Sequence, residues 1–229
     1  MQDARHAKAR VILCQRAHLP MIIQEPRMKL IGMLDSPYVR RVHITLALLG
    51  LPFEHEALSV FRHFDAFHRL NSIVKAPSFF TDHGVLLVDS TLIIDYAERL
   101  VRPDQRLMPD DPDARALALQ VIGFALAAAD KTAAIVYEQQ LRPADKQHLP
   151  WLKRLQTQLL AAYAYLEPLA AASAWMSGDK MMQADLTLAV VWRFTQHMLP
   201  ELVPAAQFPA LGALSARAEQ GDAFIGAPL

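Results

Sequence analysis

The sequence lacks several features that would point to common classes of protein. Its only cysteine, Cys14, cannot form an intramolecular disulfide and excludes a CxxC redox pair or a cysteine-based zinc cluster. Net charge is also absent, because 23 basic and 23 acidic residues balance, so the overall charge does not favour nucleic acid or an anionic membrane as partner. No uninterrupted run of about 18 apolar residues occurs, which argues against a membrane span. We therefore expect a soluble protein of the cytoplasm.

What the sequence does contain is apolar material, since 53% of its 229 residues are hydrophobic, enough for one large or two small cores. Residues 1–27 differ from the rest, with five basic residues against two acidic ones. We interpret this stretch as an N-terminal extension outside the fold, and Cys14 as non-catalytic. Because the stretch is rich in arginine and poor in acid, an organellar presequence is the alternative.

Residues 28–102 show the alternating pattern of a small α/β domain. The apolar runs and turn residues predict strands at 29–34, 52–57, 76–80 and 85–88 and helices from 37, over 61–70 and over 90–100, in the order βαβαββα. The first helix has clear signals: Ser36 is a good cap, Pro37 suits the first helical position and Gly50 ends the apolar spacing. The first βαβ unit implies a parallel pair of strands.

The second half of the chain predicts only helices. Prolines and aspartates dominate residues 103–112, a segment that cannot sustain a helix and carries little to bury, so we place a linker there. Helices are then predicted at 113–140, 144–171, 183–198 and 209–220. The expected fold is an α/β domain over 28–102 followed by an all-helical domain over 113–229.

Several ordered motifs resemble the glutathione transferase family, whose first domain is thioredoxin-like. Residues 36–42 (SPYVRRV) resemble the signature of the family's first helix, and Ala76-Pro77 lies where the family has a cis-proline before the third strand. Asp89-Ser90 matches the acid and serine that hold the glutamyl end of glutathione in the family. Further along, Gly178-Asp179 and then Ala184-Asp185-Leu186 resemble the family's helical-domain motif, except that Met182 replaces the usual Ser or Thr of a capping box. We expect Met182→Ser to raise the melting temperature.

The resemblance implies that Ser36 stabilises the thiolate of glutathione as an anion-stabilising rather than nucleophilic group. The thiolate is the competent nucleophile, and a free thiol with a pKa of about 8.5 is mostly protonated at neutral pH. A helix N-terminus and a hydroxyl donor both favour the anion. An ordinary N-cap is the alternative role for Ser36, and Asp35 opposes a thiolate unless its carboxylate points away.

The resemblance also implies how the remainder of glutathione binds. Asp89 would meet the glutamyl ammonium, Ser90 the glutamyl carboxylate, and Ala76 with cis Pro77 the cysteinyl backbone. Lys75 is the candidate for the glycyl carboxylate. Without the family, capping explains Asp89 and Ser90 equally well, and a solvated surface lysine explains Lys75.

Four residues are candidates for the pocket of a second, electrophilic substrate. Met33 and Leu34 immediately precede the cap, whereas Tyr137 and Trp192 lie on apolar helical faces where a core position is the alternative. No metal site is predicted, because no set of histidines and carboxylates has ligand spacing.

The resemblance implies a glutathione transferase that joins the glutathione thiolate to a small hydrophobic electrophile, as in detoxification, and that forms a homodimer. Glutathione is then a co-substrate, and no nucleic acid or membrane partner is expected. A glutathione-dependent isomerase or dehalogenase of the same fold is the first alternative. A binding protein that kept the fold and lost catalysis is the second.

Overall fold

A computed structural model describes residues 28–176 and 178–229, so the predicted extension and Cys14 lie outside the described residues. The first half contains every predicted element in the predicted order. The strands are β1 (Met28–Ile31), β2 (Phe53–Glu56), β3 (Ser78–Phe80) and β4 (Leu86–Val88), and the helices are α1 (Pro37–Leu48), α2 (Phe64–Leu70) and α3 (Ser90–Arg99). The βαβαββα prediction is confirmed, with differences only in where the elements begin and end.

The four strands form one mixed sheet in the order β2-β1-β3-β4. β1 pairs in parallel with β2, as the βαβ unit predicts, and antiparallel with β3, so that Leu30 lies between His55 and Phe79. The tight turn between β3 and β4 makes them an antiparallel hairpin. The start of α1, the loop before β3 and the start of α3 are the three segments that the site uses.

Helices joined by loops make up the second half among the described residues, with one isolated β-bridge between Trp175 and Gly178. Its helices are α4 (Pro112–Leu141), α5 (Leu149–Ala171), α6 (Gln183–Met198), α7 (Pro209–Ala218) and the short α8 (Asp222–Ile225). The prediction of one helix over 144–171 was wrong at its start, where a single 3-10 turn precedes α5. Pro150 explains the break, because proline lacks an N–H and fits the first turn of a helix better than its interior. The sequence did not predict α8.

α4 is long and apolar enough to cross a membrane by length and composition alone. It packs instead along α5 and α6, with Val121, Ala125 and Ala128 in the core of the helical half. We interpret α4 as the central helix of that half, since buried helices are apolar for the same physical reason as membrane spans.

The segment between the two halves is packed, contrary to the prediction that it carries little to bury. Leu107 and Met108 are buried, and the Glu98 carboxylate accepts hydrogen bonds from their backbone N–H groups at 2.9 and 3.5 Å. The Leu107 carbonyl accepts from the N–H of Gln183 at 2.9 Å, which ties the segment to the start of α6. The bounds of the linker, 103–112, therefore stay a prediction.

Asp185 organises the start of α6. Its carboxylate accepts from the N–H of Met182 at 3.0 Å and from the N–H of Met176 at 2.8 Å. The reciprocal bond of a capping box would have to end on the Met182 thioether, which is a weak acceptor. Met182 is itself buried, so it stabilises the helix start through apolar contact.

Candidate functional site

Ser36 lies at the N-terminus of α1 as the sequence predicts. Its backbone is extended, and its Oγ accepts from the N–H of Val39 at 3.5 Å, a long and therefore weak hydrogen bond. Since the hydroxyl only accepts in this contact, its proton is available for donation to an anion. The side chain is half-buried, so the first turn of the helix and the hydroxyl meet at an accessible point.

Gly32 brings the end of β1 close to both α1 and the loop before β3. Its φ of +140° belongs to a region that favours glycine, and a Cβ here would lie 2.6 Å from Val39 Cγ2 and 3.1 Å from Ala76 Cβ. No larger residue fits without moving one of these neighbours. The apolar run at 29–34 predicted that Gly32 lies inside the first strand, and nothing in that pattern singled it out.

The loop before β3 has the cis bond between Ala76 and Pro77 that the family resemblance implied. A buried hydrogen-bond network holds the loop in place: Asn71 Nδ2 donates to Ser78 Oγ at 2.8 Å, and Ser78 Oγ donates to the Lys75 carbonyl at 2.8 Å. Asn71 is buried and was not predicted to take part. Its role depends on the fold of the loop between Asn71 and Ser78, which brings these two side chains within hydrogen-bond distance.

The start of α3 places Asp89 and Ser90 together. Asp89 is the N-cap, with a φ of +73° and a side-chain oxygen that accepts from the N–H of Thr91 at 2.9 Å. The ammonium of Lys75 lies 3.9 Å from the other Asp89 carboxylate oxygen, and both side chains are half exposed. Ser90 is 2% exposed. Lys75 is thus near the Asp89 end of the site, and its assignment to the glycyl carboxylate stays a prediction.

A buried arginine, Arg41, lies behind Ser90. The sequence indicated it only as one residue of the motif at 36–42. Arg41 is 1% exposed, and its Nη1 donates to Ser90 Oγ at 3.0 Å and to Thr91 Oγ1 at 3.2 Å. Its Nε has no hydrogen-bond partner among the described residues. Burial lowers the pKa of Arg41 to about 10, an effect that the Asp89 charge partly opposes. A positive charge therefore stands behind the N-terminus of α3, where anions bind well.

Aromatic and acidic side chains lie beside the start of α1. The hydroxyl of Tyr38 donates to the Asp130 carboxylate of α4, and the half-exposed ring of Tyr137 meets the Phe61 ring edge-on at 5.6 Å between centroids. Burial raises the pKa of Tyr137, and the negative charge of Asp35 raises it further. Burial and then the Asp130 contact raise the pKa of Tyr38.

The other predicted pocket residues separate into two groups. Met33 and Leu34 are half-buried immediately before Ser36, and the Met33 carbonyl accepts from the Ser36 N–H at 3.2 Å. Trp192 lies instead in the core of the helical half, 3% exposed, with its ring against Tyr163 at 5.1 Å. Trp192 therefore lies in the core, which is the alternative position that the sequence left open for it.

Among residues 28–176 and 178–229, no group of three or more histidine, cysteine, aspartate or glutamate side chains could hold a metal ion. The arrangement instead offers two helix N-termini with serine hydroxyls, a cis-proline loop between them and a buried cation behind one of them. Such a set suits an extended ligand with at least one carboxylate and a second group that benefits from a positive environment.

Comparisons with known proteins agree with this geometry. The family model described as the N-terminal domain of glutathione S-transferases matches residues 30–105. Glutathione S-transferase 1 of Dianthus caryophyllus is 30% identical over 172 residues, which cover 71% of this chain and 75% of that protein. Glutathione S-transferase U8 of Arabidopsis thaliana is 30% identical over 96 residues, and the chain spans only 43% of the length of that relative. Maleylacetoacetate isomerase of Rattus norvegicus is 26% identical over 156 residues, covering 65% of this chain and 69% of that protein.

Solved structures share the fold over most of the chain. A glutathione S-transferase from Methylobacterium radiotolerans in complex with glutathione sulfonate has a TM-score of 0.82 and 29% identity and covers 88% of this chain and 94% of its own. A glutathione transferase family member from Pseudomonas fluorescens Pf-5 with bound glutathione has a TM-score of 0.76 and 26% identity, with coverages of 88% and 100%. The predicted two-domain fold, thioredoxin-like and then helical, is confirmed, and the chain belongs to the glutathione S-transferase family.

Proposed function

We propose that this protein is a glutathione transferase in which Ser36 stabilises the glutathione thiolate for attack on a small hydrophobic electrophile. One observation carries the proposal: the Ser36 hydroxyl is half-buried at the N-terminus of a 12-residue helix, and its proton is not used by the contact with Val39. The relatives named above as glutathione transferases, and the related structures that hold glutathione or glutathione sulfonate, support glutathione as the co-substrate.

The free energies contributed by the helix N-terminus and by the Ser36 hydroxyl favour a thiolate at neutral pH. An exposed helix N-terminus contributes roughly 0.3–1 kcal/mol to a nearby anion, and a hydrogen bond to a charged group about 1.5–3 kcal/mol. One pKa unit corresponds to about 1.36 kcal/mol, so together they lower the thiol pKa by about one to three units. Asp35 opposes them, but its side chain is exposed, where water screens its charge.

In the proposed complex the start of α3 binds the glutamyl end of glutathione. Asp89 accepts from the ammonium, while Ser90 and the helix N-terminus donate to the carboxylate, with the Arg41 charge behind them. Ala76 presents its backbone to the cysteinyl part. We also propose that the protein works in the cytoplasm as a homodimer in detoxification chemistry.

The test is a spectroscopic pH titration of bound glutathione. Thiolate absorbance is followed from pH 5 to 9 for the wild type, for Ser36→Ala and for the control Ser173→Ala, which removes an exposed hydroxyl of the helical half. We expect the pKa of the bound thiol to rise by about one unit or more in Ser36→Ala only, because one charge-assisted hydrogen bond is lost. Equal pKa values in all three proteins would remove the proposed role of the hydroxyl.

An isomerase of the same fold is the second candidate, favoured by the similarity to rat maleylacetoacetate isomerase. It would use the same thiolate and release glutathione unchanged. Product analysis separates the two, since a transferase consumes one glutathione for each electrophile. Thiolate formation without turnover of any electrophile would instead support a non-catalytic binding protein.

A further inference from the structure

A histidine of the neighbouring strand holds the peptide that follows β1. The Nε2 of His55 in β2 lies 2.8 Å from the Gly32 carbonyl oxygen. Because a carbonyl oxygen only accepts, this Nε2 carries the proton and donates it. The N–H of Gly32 donates in turn to the Glu56 carbonyl at 3.0 Å. Residues of β2 thus bind both polar groups of Gly32, one through the backbone and the other through a side chain.

The position of Gly32 is coupled to the position of Ser36. A Cβ on Gly32 would lie 2.6 Å from Val39 Cγ2, and Val39 is the residue whose N–H meets Ser36 Oγ. The chain between Gly32 and Ser36 is short, and it closes a turn in which the Met33 carbonyl accepts from the Ser36 N–H at 3.2 Å. A rotation of the peptide between Gly32 and Met33 would therefore shift the turn that carries the Ser36 hydroxyl.

Ring packing fixes the direction of the His55 donor. The half-buried His55 ring meets His43 of α1 edge-on at 5.2 Å between centroids, and the same His43 ring meets Phe53 edge-on at 4.9 Å. Phe53 and His55 are two residues apart on β2, so their side chains lie on the same face of the strand. The His55 imidazole is therefore held by α1 on one side and by its hydrogen bond to Gly32 at Nε2.

We infer that His55 is a positioning residue for the proposed reaction, because its bond to the Gly32 carbonyl fixes the turn that carries Ser36. The inference rests on the proposed function and adds a residue that touches neither glutathione nor the electrophile. A hydrogen bond weakens steeply when its distance or angle is poor, so a displaced Ser36 hydroxyl would stabilise the thiolate less well. Displacements of about 1 Å can lower a rate by about 100-fold.

A contact that only secures an edge strand is the competing explanation, since β2 is at the edge of the sheet. Three substitutions at His55 distinguish the donor from the ring. His55→Gln keeps an amide nitrogen as many bonds from Cβ as Nε2 is, so it can still donate to Gly32. His55→Asn has its amide nitrogen one bond closer to Cβ, where it does not reach. His55→Phe keeps the ring and its contact with His43 but has no donor.

The measurement is the pH titration of thiolate absorbance with bound glutathione. We expect the pKa of the bound thiol to rise by about half a unit in His55→Phe and His55→Asn, because the Ser36 hydroxyl is present but less well placed. His55→Gln should restore the wild-type value. His83→Phe, which removes a histidine from an exposed turn, is the control and should have no effect.

A second measurement excludes general damage to the glutathione site. S-methylglutathione has no ionisable thiol, so its Kd does not depend on how well a thiolate is stabilised. We expect this Kd to be unchanged in the three His55 variants, and urea unfolding confirms that each variant is folded. His55→Phe and His55→Asn remove the donor in different ways, so either one suffices if the other does not fold.

The double variant Ser36→Ala/His55→Phe tests whether His55 acts through Ser36. If it does, His55→Phe should not change the thiol pKa further once the Ser36 hydroxyl is absent, so the two effects are not additive. A contact that only secures β2 would lower the stability and leave the thiol pKa of the single variants at the wild-type value.

Three results would overturn the inference: a wild-type thiol pKa in His55→Phe and His55→Asn, no restoration in His55→Gln, or a shift that adds fully to that of Ser36→Ala. In each of these cases the wild type still forms the thiolate and Ser36→Ala still raises its pKa. Failure of the proposed function looks different, because the wild type then shows no thiolate near neutral pH or Ser36→Ala has no effect. That result would overturn the inference as well.

Discussion

Two neighbouring arginines on α1 have opposite surroundings although both are 1% exposed. Arg40 donates from Nη1 and Nη2 to both carboxylate oxygens of Glu219 at 2.6 and 2.7 Å and from Nε to the Ala227 carbonyl at 2.7 Å, with its guanidinium 5.6 Å from the centre of the Phe224 ring. Arg41 reaches only the hydroxyls of Ser90 and Thr91, and its Nε has no partner among the described residues.

We interpret the charge of Arg40 as structural and the charge of Arg41 as available to a ligand. Burying a charge without a counterion is costly, so a fold that retains such a charge needs a reason beyond its own stability. Arg40 joins the first half of the chain to its last two helices. Arg41 keeps its charge behind the proposed carboxylate site, and we interpret the incoming glutamyl carboxylate as its counterion.

Removing Arg40 should have the largest effect. We expect Arg40→Met to lower the free energy of unfolding by about 3 kcal/mol, because it leaves Glu219 without its cation and Ala227 without its donor. Urea unfolding measures this, and Glu219→Gln should give a smaller loss of the same sign. The affinity for glutathione should stay unchanged. A loss smaller than that caused by Arg41→Met would contradict the distinction between the two arginines.

Gly32 lies where the end of β1 comes close to Val39 of α1, the helix that carries both arginines. We expect Gly32→Ala to cost about 2 kcal/mol of unfolding free energy, since alanine is strained at a φ of +140° and its Cβ would lie 2.6 Å from Val39 Cγ2. Urea unfolding and glutathione titration should both show a loss. Gly212→Ala is the control, because a Cβ there meets nothing within 4 Å. Equal stability of the two variants would show that α1 tolerates displacement.

Removing Arg41 should affect the ligand rather than the fold. In Arg41→Met the loss of two hydrogen bonds is offset by relief of a buried charge, so we expect unfolding free energy to change by less than about 1 kcal/mol. The Kd for glutathione should rise about tenfold, equivalent to about 1.4 kcal/mol. Calorimetry with a glutathione analogue that lacks the glutamyl carboxylate provides the control. That analogue should bind the wild type and the variant alike, and a tenfold difference for it too would contradict the role as counterion.

A smaller, pH-dependent effect should arise at His43 of α1, whose ring packs edge-on against Phe53 and His55 of β2 at 4.9 and 5.2 Å between ring centroids. Burial lowers its pKa to about 4, with help from the charges of His55 and then Arg40. The unfolded chain binds this proton near pH 6.5 and the folded protein only near pH 4, so stability should fall as pH decreases from 6.5 to 4. His43→Phe should flatten that part of a melting-temperature profile, whereas His83→Gln, in an exposed turn, should not. A profile unchanged by His43→Phe would exclude this residue as the cause.

Local signals in the sequence predicted most elements of the fold. The sequence Ser36-Pro37 marked the start of α1, because a cap and a first-turn proline depend only on adjacent residues. The start of α5 was predicted too early, because the predicted helix ran through Pro150, which fits the first turn of a helix and not its interior. The segment with Leu107 and Met108 was missed because it is held by a side chain in the preceding helix, Glu98, and by the backbone of Gln183, which is distant in sequence.

The predicted stabilisation by Met182→Ser needs revision for the same reason. A cap is worth about 0.5–2 kcal/mol, but Met182 is buried, and losing its apolar surface costs about 1.5–3 kcal/mol. The sequence displayed the missing cap and not the compensating burial. We now expect no rise in melting temperature, and a clear rise would show that the thioether contributes little.

The order of the elements, the cap at Ser36 and the family resemblance follow from the amino-acid sequence, since each depends on patterns among neighbouring residues. Which of two adjacent arginines is paired depends on the folded chain, because the partner of Arg40 lies 179 residues away while Arg41 points about 100° around the same helix. It likewise placed Trp192 in the core and left the Tyr137 ring half exposed against Phe61. Burial and long-range pairing arise only when distant segments pack together, and they give identical side chains different physical roles.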